Sequence, residues 1–360
     1  MTGQEPGNKE TAKAPVEVAI EPDLPIIDTH HHLWDRPGYR YLLPEMQRDI
    51  AGGHNLRGTV YVEGSGALFT NTRDCGVMYR ATGDISRRSL GEAEFANGIG
   101  AIAASGAYGT TEIAAGIVGF VQMLEGAAVR GPLEAQMALS RFRGVRYHVG
   151  WHKDPRIKNP NLTAVVEGML YDENIRAALR EVSDLGLTFD AAIIFTQLLD
   201  FYDVAKANPN LTLILNHCGS PMASGPYEGK VQEVYDQWIK DLRPIAELPN
   251  VVAKIGGLGK PKNGLMPAEM DAALIAERWR PFIETTIELF GPERCMFETN
   301  FPVDGMFVPY TTVWNAFKHV TAACSADEKR AMYFDTANRI YRLGLSAEVP
   351  DLAPDFRPFP

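Results

Sequence analysis

Cysteine is scarce. There are four in 360 residues (Cys75, Cys218, Cys295 and Cys324), far apart and with no CxxC pair, so neither a zinc knuckle nor a disulfide framework is expected. Buried, reduced thiols are the better default. Basic side chains are in the minority, 35 against 45 acidic ones, for a formal charge of −10. A protein that grips nucleic acid non-specifically, or docks on an anionic membrane, needs the opposite balance. No apolar run approaches the roughly 20 residues of a membrane-spanning helix. The opening MTGQEPGNKETAKAPVEV has no apolar signal core, so a cytoplasmic protein is expected. What is present in ordinary measure is hydrophobic residues, 45%, enough in a chain this long for a large core.

Residues 1–23 read as a flexible polar tail, 24–346 as the folded unit and 347–360 as a C-terminal tail. Within the folded unit, short β-branched or apolar runs alternate with helical patterns. The runs are 24–27, 58–63, 115–121, 144–148, 187–191, 211–217, 251–255 and 295–300. Helical spacing of apolar residues marks 172–186, 231–248 and 279–290, and Ser325 with Glu328 reads as a helix-capping pair. Eight strands alternating with helices predict a parallel sheet. A doubly wound sheet would want a glycine-rich phosphate loop after its first strand. That position holds His30-His31-His32 instead. The expected fold is therefore an α/β (β/α)8 TIM barrel, distorted by a long insertion after strand 2. The insertion, 64–112, is rich in Gly, Ala and Ser and is expected to cap the barrel mouth.

Catalytic groups of such a barrel sit at the C-terminal ends of its strands, and alternate side chains of a strand share a face. His30 and His32 are expected to face inward at the end of the first strand, with His31 outward and structural. Arg146 and His148 share a face on the fourth strand, with His152 just beyond. An Arg there can fork onto a substrate carboxylate or carbonyl, or form a structural ion pair. His217 ends the sixth strand, with Cys218 on the other face and packed. Glu63 and Asp190 lie near the ends of the second and fifth strands and are candidates for substrate binding. On the eighth strand Asn300 reaches the rim and Glu298 lies one layer deeper. Lys254, a lone charge in the apolar seventh strand, is expected to pair with Glu298.

The motifs Ile-Asp-Thr-His-His-His-Leu-Trp (27–34), Gly-Val-Arg-Tyr-His (144–148), Leu-Asn-His-Cys-Gly-Ser-Pro (215–221), Met-Phe-Glu-Thr-Asn-Phe-Pro-Val (296–303) and Thr-Ala-Asn-Arg-Ile-Tyr (336–341) follow one another in a spacing that resembles the amidohydrolase superfamily. The likeness is to its lactonase-like branch, acting on sugar lactones and pyrone dicarboxylates. The resemblance implies that His30, His32 and His217 surround the scissile group, and that they ligate zinc in metal-dependent members. It also implies an aspartate on the eighth strand as the water-activating base, and here that position is Asn300. A neutral amide accepts no proton at neutral pH. Asp304, then Asp190, then His148 are the candidates to replace it.

The expectation is thus a hydrolase of small molecules that opens a lactone or cleaves a related ester. No cofactor is favoured; the alternative is a divalent metal such as zinc on His30, His32 and His217. Two rival readings stand beside it: a lyase (decarboxylase or hydratase) acting on an aromatic or unsaturated acid, and an inactive ligand-binding barrel. Oligomerisation is left open.

Overall fold

The β-branched and apolar runs form eight parallel strands because each is buried on both faces, as parallel strands are. The computed structural model describes residues 17–36, 39–64, 80, 82–157 and 165–349. Its strands in chain order are β1 (Ile26–His31), β2 (Trp34–Arg36), β3 (Tyr39–Tyr41), β4 (Leu56–Val62), β5 (Glu112–Gly119), β6 (Phe142–His148), β7 (Thr188–Ala192), β8 (Thr212–Leu215), β9 (Val251–Gly256) and β10 (Cys295–Glu298). β2 and β3 pair as a small antiparallel hairpin, and the other eight run β1-β4-β5-β6-β7-β8-β9-β10 with every neighbour parallel. Helices separate them, as in a (β/α)8 barrel.

The ladder does not close the barrel by itself. Between β10 and β1 the joint is one bridge, His31 to Phe301, plus bonds at the strand ends. Asn300 N–H donates to His30 O (2.9 Å) and His32 N–H donates to Phe301 O (2.6 Å). Asp28 completes the seam from β1, accepting from Thr299 N–H (3.0 Å), Thr299 Oγ1 (2.5 Å) and Tyr310 OH (3.1 Å). The aspartate of the Asp-x-His-x-His opening is thus a strand-to-strand bolt.

Inside the barrel the side chains form layers. Ile27, Val60, Val62, Val118, Ile214, Val252 and Met296 make an apolar floor, sealed by Phe334, Ala337 and Tyr341 of the last helical turns. Above it lies a wholly buried ion pair, Lys254 Nζ to Asp190 Oδ2 at 2.7 Å, with Tyr341 OH donating to Asp190 Oδ2 at 3.0 Å. The expected Lys254–Glu298 pair is corrected: both face inward, but β9 and β10 are in register as Met296 with Lys254 and Glu298 with Gly256, and the ammonium reaches across to β7.

Three further expectations change. Residues 17–23, read as tail, are docked where they are described: Asn315 Nδ2 donates to Glu17 Oε2 (2.8 Å), and Lys318 Nζ donates to Ile20 O (2.7 Å). The insertion after the second barrel strand contributes the helix Leu90–Ala104, whose small buried residues Ala93, Ala96, Gly100 and Ala103 pack it on β5 as an ordinary outer helix. Whether 64–112 caps the mouth rests on 65–79 and 81, which lie outside the described residues. The helix expected at 279–290 starts at Ala272, capped by Asp271 accepting from Ala273 and Leu274 N–H, and runs through Pro281. The Ser325–Glu328 cap is as expected.

Breaking the buried ion pair leaves an uncompensated charge, which typically costs about 3–5 kcal/mol. Lys254→Met is expected to lose that much in urea unfolding. Lys254→Met with Asp190→Leu should recover most of it; a double variant as unstable as the single one contradicts the pairing.

Candidate active site

Above the ion pair, the C-terminal strand ends bring together the imidazoles that the sequence singled out. Strict alternation would not have done this. From Ile27, which lines the interior, it would place His31 inward. A bulge intervenes: β1 takes three residues from Asp28 to His31 where β4 takes two, Thr59 to Tyr61. The extra residue re-aims the strand end. His30 turns into the barrel, while His31 faces outward as expected, with Nε2 2.9 Å from Thr59 Oγ1.

The centre of the site is Glu298, fully buried on β10. Its Oε1 accepts from both the ring Nδ1 (2.5 Å) and the backbone N–H (3.0 Å) of His217. Its Oε2 lies 2.8 Å from His30 Nδ1, but the two are out of line and neither atom has a hydrogen-bond partner. Burial pushes Glu298 up to about 7 against the opposing charge of Lys254. Burial, helped by Lys254, holds His30 well below the usual imidazole range. His217 is lowered by burial and by Lys260.

His217 sits in a strained turn. It, Cys218 and Ser220 have φ of 56°, 52° and 52°, a left-handed region costly for residues with a Cβ. Two bonds from one carboxylate hold the first of them. The chain leaving β9 passes so close that a Cβ on Gly257 would meet the His217 ring at 2.2 Å, and one on Gly256 would meet Glu298 O at 2.0 Å. Only glycine fits at either place.

Hydrogen bonds fix the imidazole tautomers. Arg146 Nη1 donates to His30 Nε2 (3.2 Å), so neutral His30 carries its proton on Nδ1, facing Glu298. His32 Nδ1 lies 2.7 Å from Val62 O. A carbonyl only accepts, so His32 Nδ1 is protonated and Nε2 keeps its lone pair. His217, donating from Nδ1 to Glu298, likewise has a basic Nε2. The rings of His30 and His217 are 4.8 Å apart, and His32 stands edge-on to His30 at 5.0 Å and stacks on Trp34.

Other candidates are placed differently. Arg146 is not a free fork: its Nε donates to Glu63 Oε1 at 2.7 Å and its Nη2 to Glu63 O, and both side chains are buried. The structural ion pair is what the chain builds there. His148, a quarter exposed at 3.8 Å from Glu63, does reach the mouth and is held low, to about 3, by desolvation and Arg146. His152 is a loop pin, accepting from Asp154 N–H and bonded to Tyr227 OH at 3.0 Å. Asp190 belongs to the ion pair below. Asn300 Nδ2 donates to Asp304 Oδ1 (2.7 Å), whose Oδ2 accepts from Gly259 N–H (2.7 Å). Asp304 is thus tied at both oxygens, and burial raises it to about 6.

Sequence reasoning placed Glu298 one layer down and missed it as a site residue. The signal was there: a carboxylate in an apolar strand, on the face of Asn300. Asn216, wholly buried with neither amide atom bonded, had no signal of its own.

The donor set also fits a divalent cation. His30, His217 and Glu298 offer ligand atoms within 4.8 Å of one another, His30 Nδ1 and Glu298 Oε2 are buried without a hydrogen-bond partner, and two imidazoles with a carboxylate are ligands zinc accepts. His32, expected beside His30 and His217, is outside this group, and Glu298 is in it.

The amidohydrolase family model matches residues 27–343. The chain belongs to the amidohydrolase family. Among curated relatives, this amidohydrolase is 28% identical over 327 residues to the uncharacterized protein y4mH of Sinorhizobium fredii, covering 89% of this chain and 99% of that one. It is 28% identical over 159 residues to the L-fucono-1,5-lactonase of Burkholderia multivorans, covering 43% of this chain but 51% of the enzyme. Among solved structures, an amidohydrolase of Burkholderia multivorans with bound zinc aligns with a TM-score of 0.64 at 20% identity, covering 88% of this chain and 99% of that one; at this identity the likeness is one of fold. Among the described residues no helix is long and apolar enough to cross a membrane.

The neutral imidazoles set a pH dependence. His30, His31, His32, His54, His148 and His217 are all lowered in the folded state, whereas unfolded they titrate near 6.5. As pH falls through that value, the unfolded chain takes up these protons and stability drops. Asp28, Asp304 and Glu298 oppose this, because their raised values (about 6, 6 and 7) make the folded chain the one that binds protons there. Asp190 is raised as well. Asp49, Glu125 and Asp200 are raised too; against the three carboxyls lifted to about 6 or 7 stand six imidazoles that stay neutral when folded. The urea midpoint is expected to be lower near pH 5 than near pH 7; an equal or higher value at pH 5 would contradict buried neutral rings.

Proposed function

We propose that this amidohydrolase opens the ring ester of a small lactone, with the His217–Glu298 pair as its proton-handling centre. The observation that carries the reading is the 2.5 Å contact between Glu298 Oε1 and His217 Nδ1. A buried carboxylate on one ring nitrogen fixes the tautomer and leaves the other as a base, the arrangement that general-base catalysis needs. The partial likeness to a lactonase supports the substrate class.

In this reading His217 Nε2 takes a proton from water as the water oxygen attacks the lactone carbonyl carbon. Glu298 stabilises the imidazolium so formed. The tetrahedral intermediate collapses, the ring C–O bond breaks, and the leaving alkoxide takes the proton back from His217. The products are a carboxylate and an alcohol, with one proton released. His32, with Nε2 unprotonated, orients the water or a substrate hydroxyl by accepting its hydrogen. His30 stays neutral beside the other oxygen of Glu298. Asp304, with both oxygens engaged, shapes the loop rather than moving the proton. A divalent ion held by His30, His217 and Glu298 would supply Lewis acidity to the same carbonyl.

A panel of aldonolactones followed by proton release tests this. His217→Ala and Glu298→Gln should each lower kcat by about 10²–10⁴-fold with circular dichroism unchanged. Rates surviving in either variant would remove the pair from the mechanism. Release of CO2 from an unsaturated acid, with no lactone opened, would assign a lyase instead. Metal content of the pure protein, and activity after chelation, decide whether an ion takes part.

A further inference from the structure

We propose that the cleft beside the barrel seam, lined by Tyr41, Asp49 and Phe301, binds a small molecule through a protonated primary amine. The proposal is independent of the hydrolase reading, and either can fail alone.

The cleft has a volume of about 380 Å³, within the range of small-molecule sites. Three segments build it: β3, the helix Leu43–Ile50 with the turn after it, and the chain from Phe301 to Thr311. Close approach of backbone shapes two of its walls. A Cβ on Gly52 would meet Thr311 Oγ1 at 2.0 Å, and one on Gly305 would meet the Phe301 ring at 2.7 Å. Phe301 also belongs to the seam, where its carbonyl accepts from His32 N–H and its backbone bridges to His31. An occupant therefore lies against the chain that closes the barrel.

The lining sorts by what it can offer a ligand. Tyr39, Tyr41, Phe301 and Tyr310 give an aromatic wall, with Phe301 edge-on to Tyr41 (6.4 Å) and to Tyr310 (4.9 Å). Aromatic faces are negative and attract cations. A phenol has one proton, and both buried phenols have given theirs to a carboxylate: Tyr41 OH donates to Asp49 Oδ2 (2.8 Å) and Tyr310 OH to Asp28 Oδ2 (3.1 Å). Neither can donate to a ligand as well. Asp49 is half-buried, and among the described residues it has no ion pair and no hydrogen bond to its Oδ1. Burial raises it above the ordinary carboxylate value. Arg48, its neighbour in the chain, is turned to Glu45 instead, 3.3 Å away, and donates to Pro44 O.

A cation that carries N–H groups answers this lining. Its ammonium pairs with Asp49 Oδ1, and its carbon body lies against the rings. An anion would face a carboxylate and two phenols unable to donate. The net charge of −10 also favours the approach of a cation. Arg48 and the first turn of the helix Tyr310–Val320 favour an anion, which makes benzoate the competing probe.

Calorimetric titration of the full chain with benzylammonium, benzyl alcohol, benzyltrimethylammonium and benzoate tests this. Wild type is expected to bind benzylammonium about tenfold or more tightly than benzyl alcohol, which has the same shape without the charge. Benzyltrimethylammonium keeps the charge but has no N–H, and should bind more weakly than benzylammonium. Raising salt from roughly 0.05 to 0.5 M should weaken the binding. Asp49→Asn should lose about tenfold or more of the affinity with circular dichroism unchanged. Benzylammonium should raise the urea midpoint of wild type but not of that variant. No saturable binding of benzylammonium up to roughly 10 mM overturns the proposal, and so does equal binding by Asp49→Asn. Should the variant fail to fold, wild type alone decides: benzoate or benzyl alcohol bound as tightly as benzylammonium overturns the proposal, and benzyltrimethylammonium bound equally well rejects the bond from ammonium to Asp49.

Discussion

A carboxylate wedged between two imidazoles governs this molecule. Glu298 is fully buried, and a buried carboxyl is stable only where donors surround it. His217 supplies two of them, from ring and backbone, and the neutral Nδ1–H of His30 lies against the other oxygen. These residues come from β10, the turn after β8, and β1. Glu298 thus meets groups on both sides of the seam where the ladder is thinnest, its Oε2 lying 2.8 Å from His30 Nδ1 but out of line for a hydrogen bond. It also holds His217 in a left-handed conformation the residue would not choose alone.

The interior above the apolar floor is ionic in layers, and each layer limits what the next can do. Lys254 and Asp190 neutralise each other at mid-height, with Tyr341 rising from the plug below to bond the same carboxylate. Arg146 and Glu63 do so higher up, with the guanidinium turned onto His30. Burial holds the imidazoles neutral, and the charges of these cations add to it. A neutral imidazole with one nitrogen tied is a base, and His32 and His217 are both left in that form.

The replacement of a rim carboxylate by Asn300 fits this economy of charge. Its amide donates to Asp304, which a carboxylate at the same place could not do. The eighth strand keeps its carboxyl two residues earlier, as Glu298, one layer deeper and better shielded. The buried carboxylate of this strand is bonded to His217.

Local pattern determined a great deal. Apolar runs and helical spacing are properties of a few neighbouring residues, and they were enough for eight strands, the barrel, and histidines at the strand ends. Motif order was enough for the family. What the chain could not show was partner choice. Lys254 pairs with Asp190 rather than Glu298, Arg146 spends its fork on Glu63, and Asp28 bolts the seam, because register between strands sets which side chains meet. Register is a relation between segments far apart in sequence. Even the facing of His30 depends on a one-residue bulge that only pairing with β4 reveals. Types and positions of the chemical groups were written in the sequence; which of them neutralise one another, and which is left free, was settled by packing.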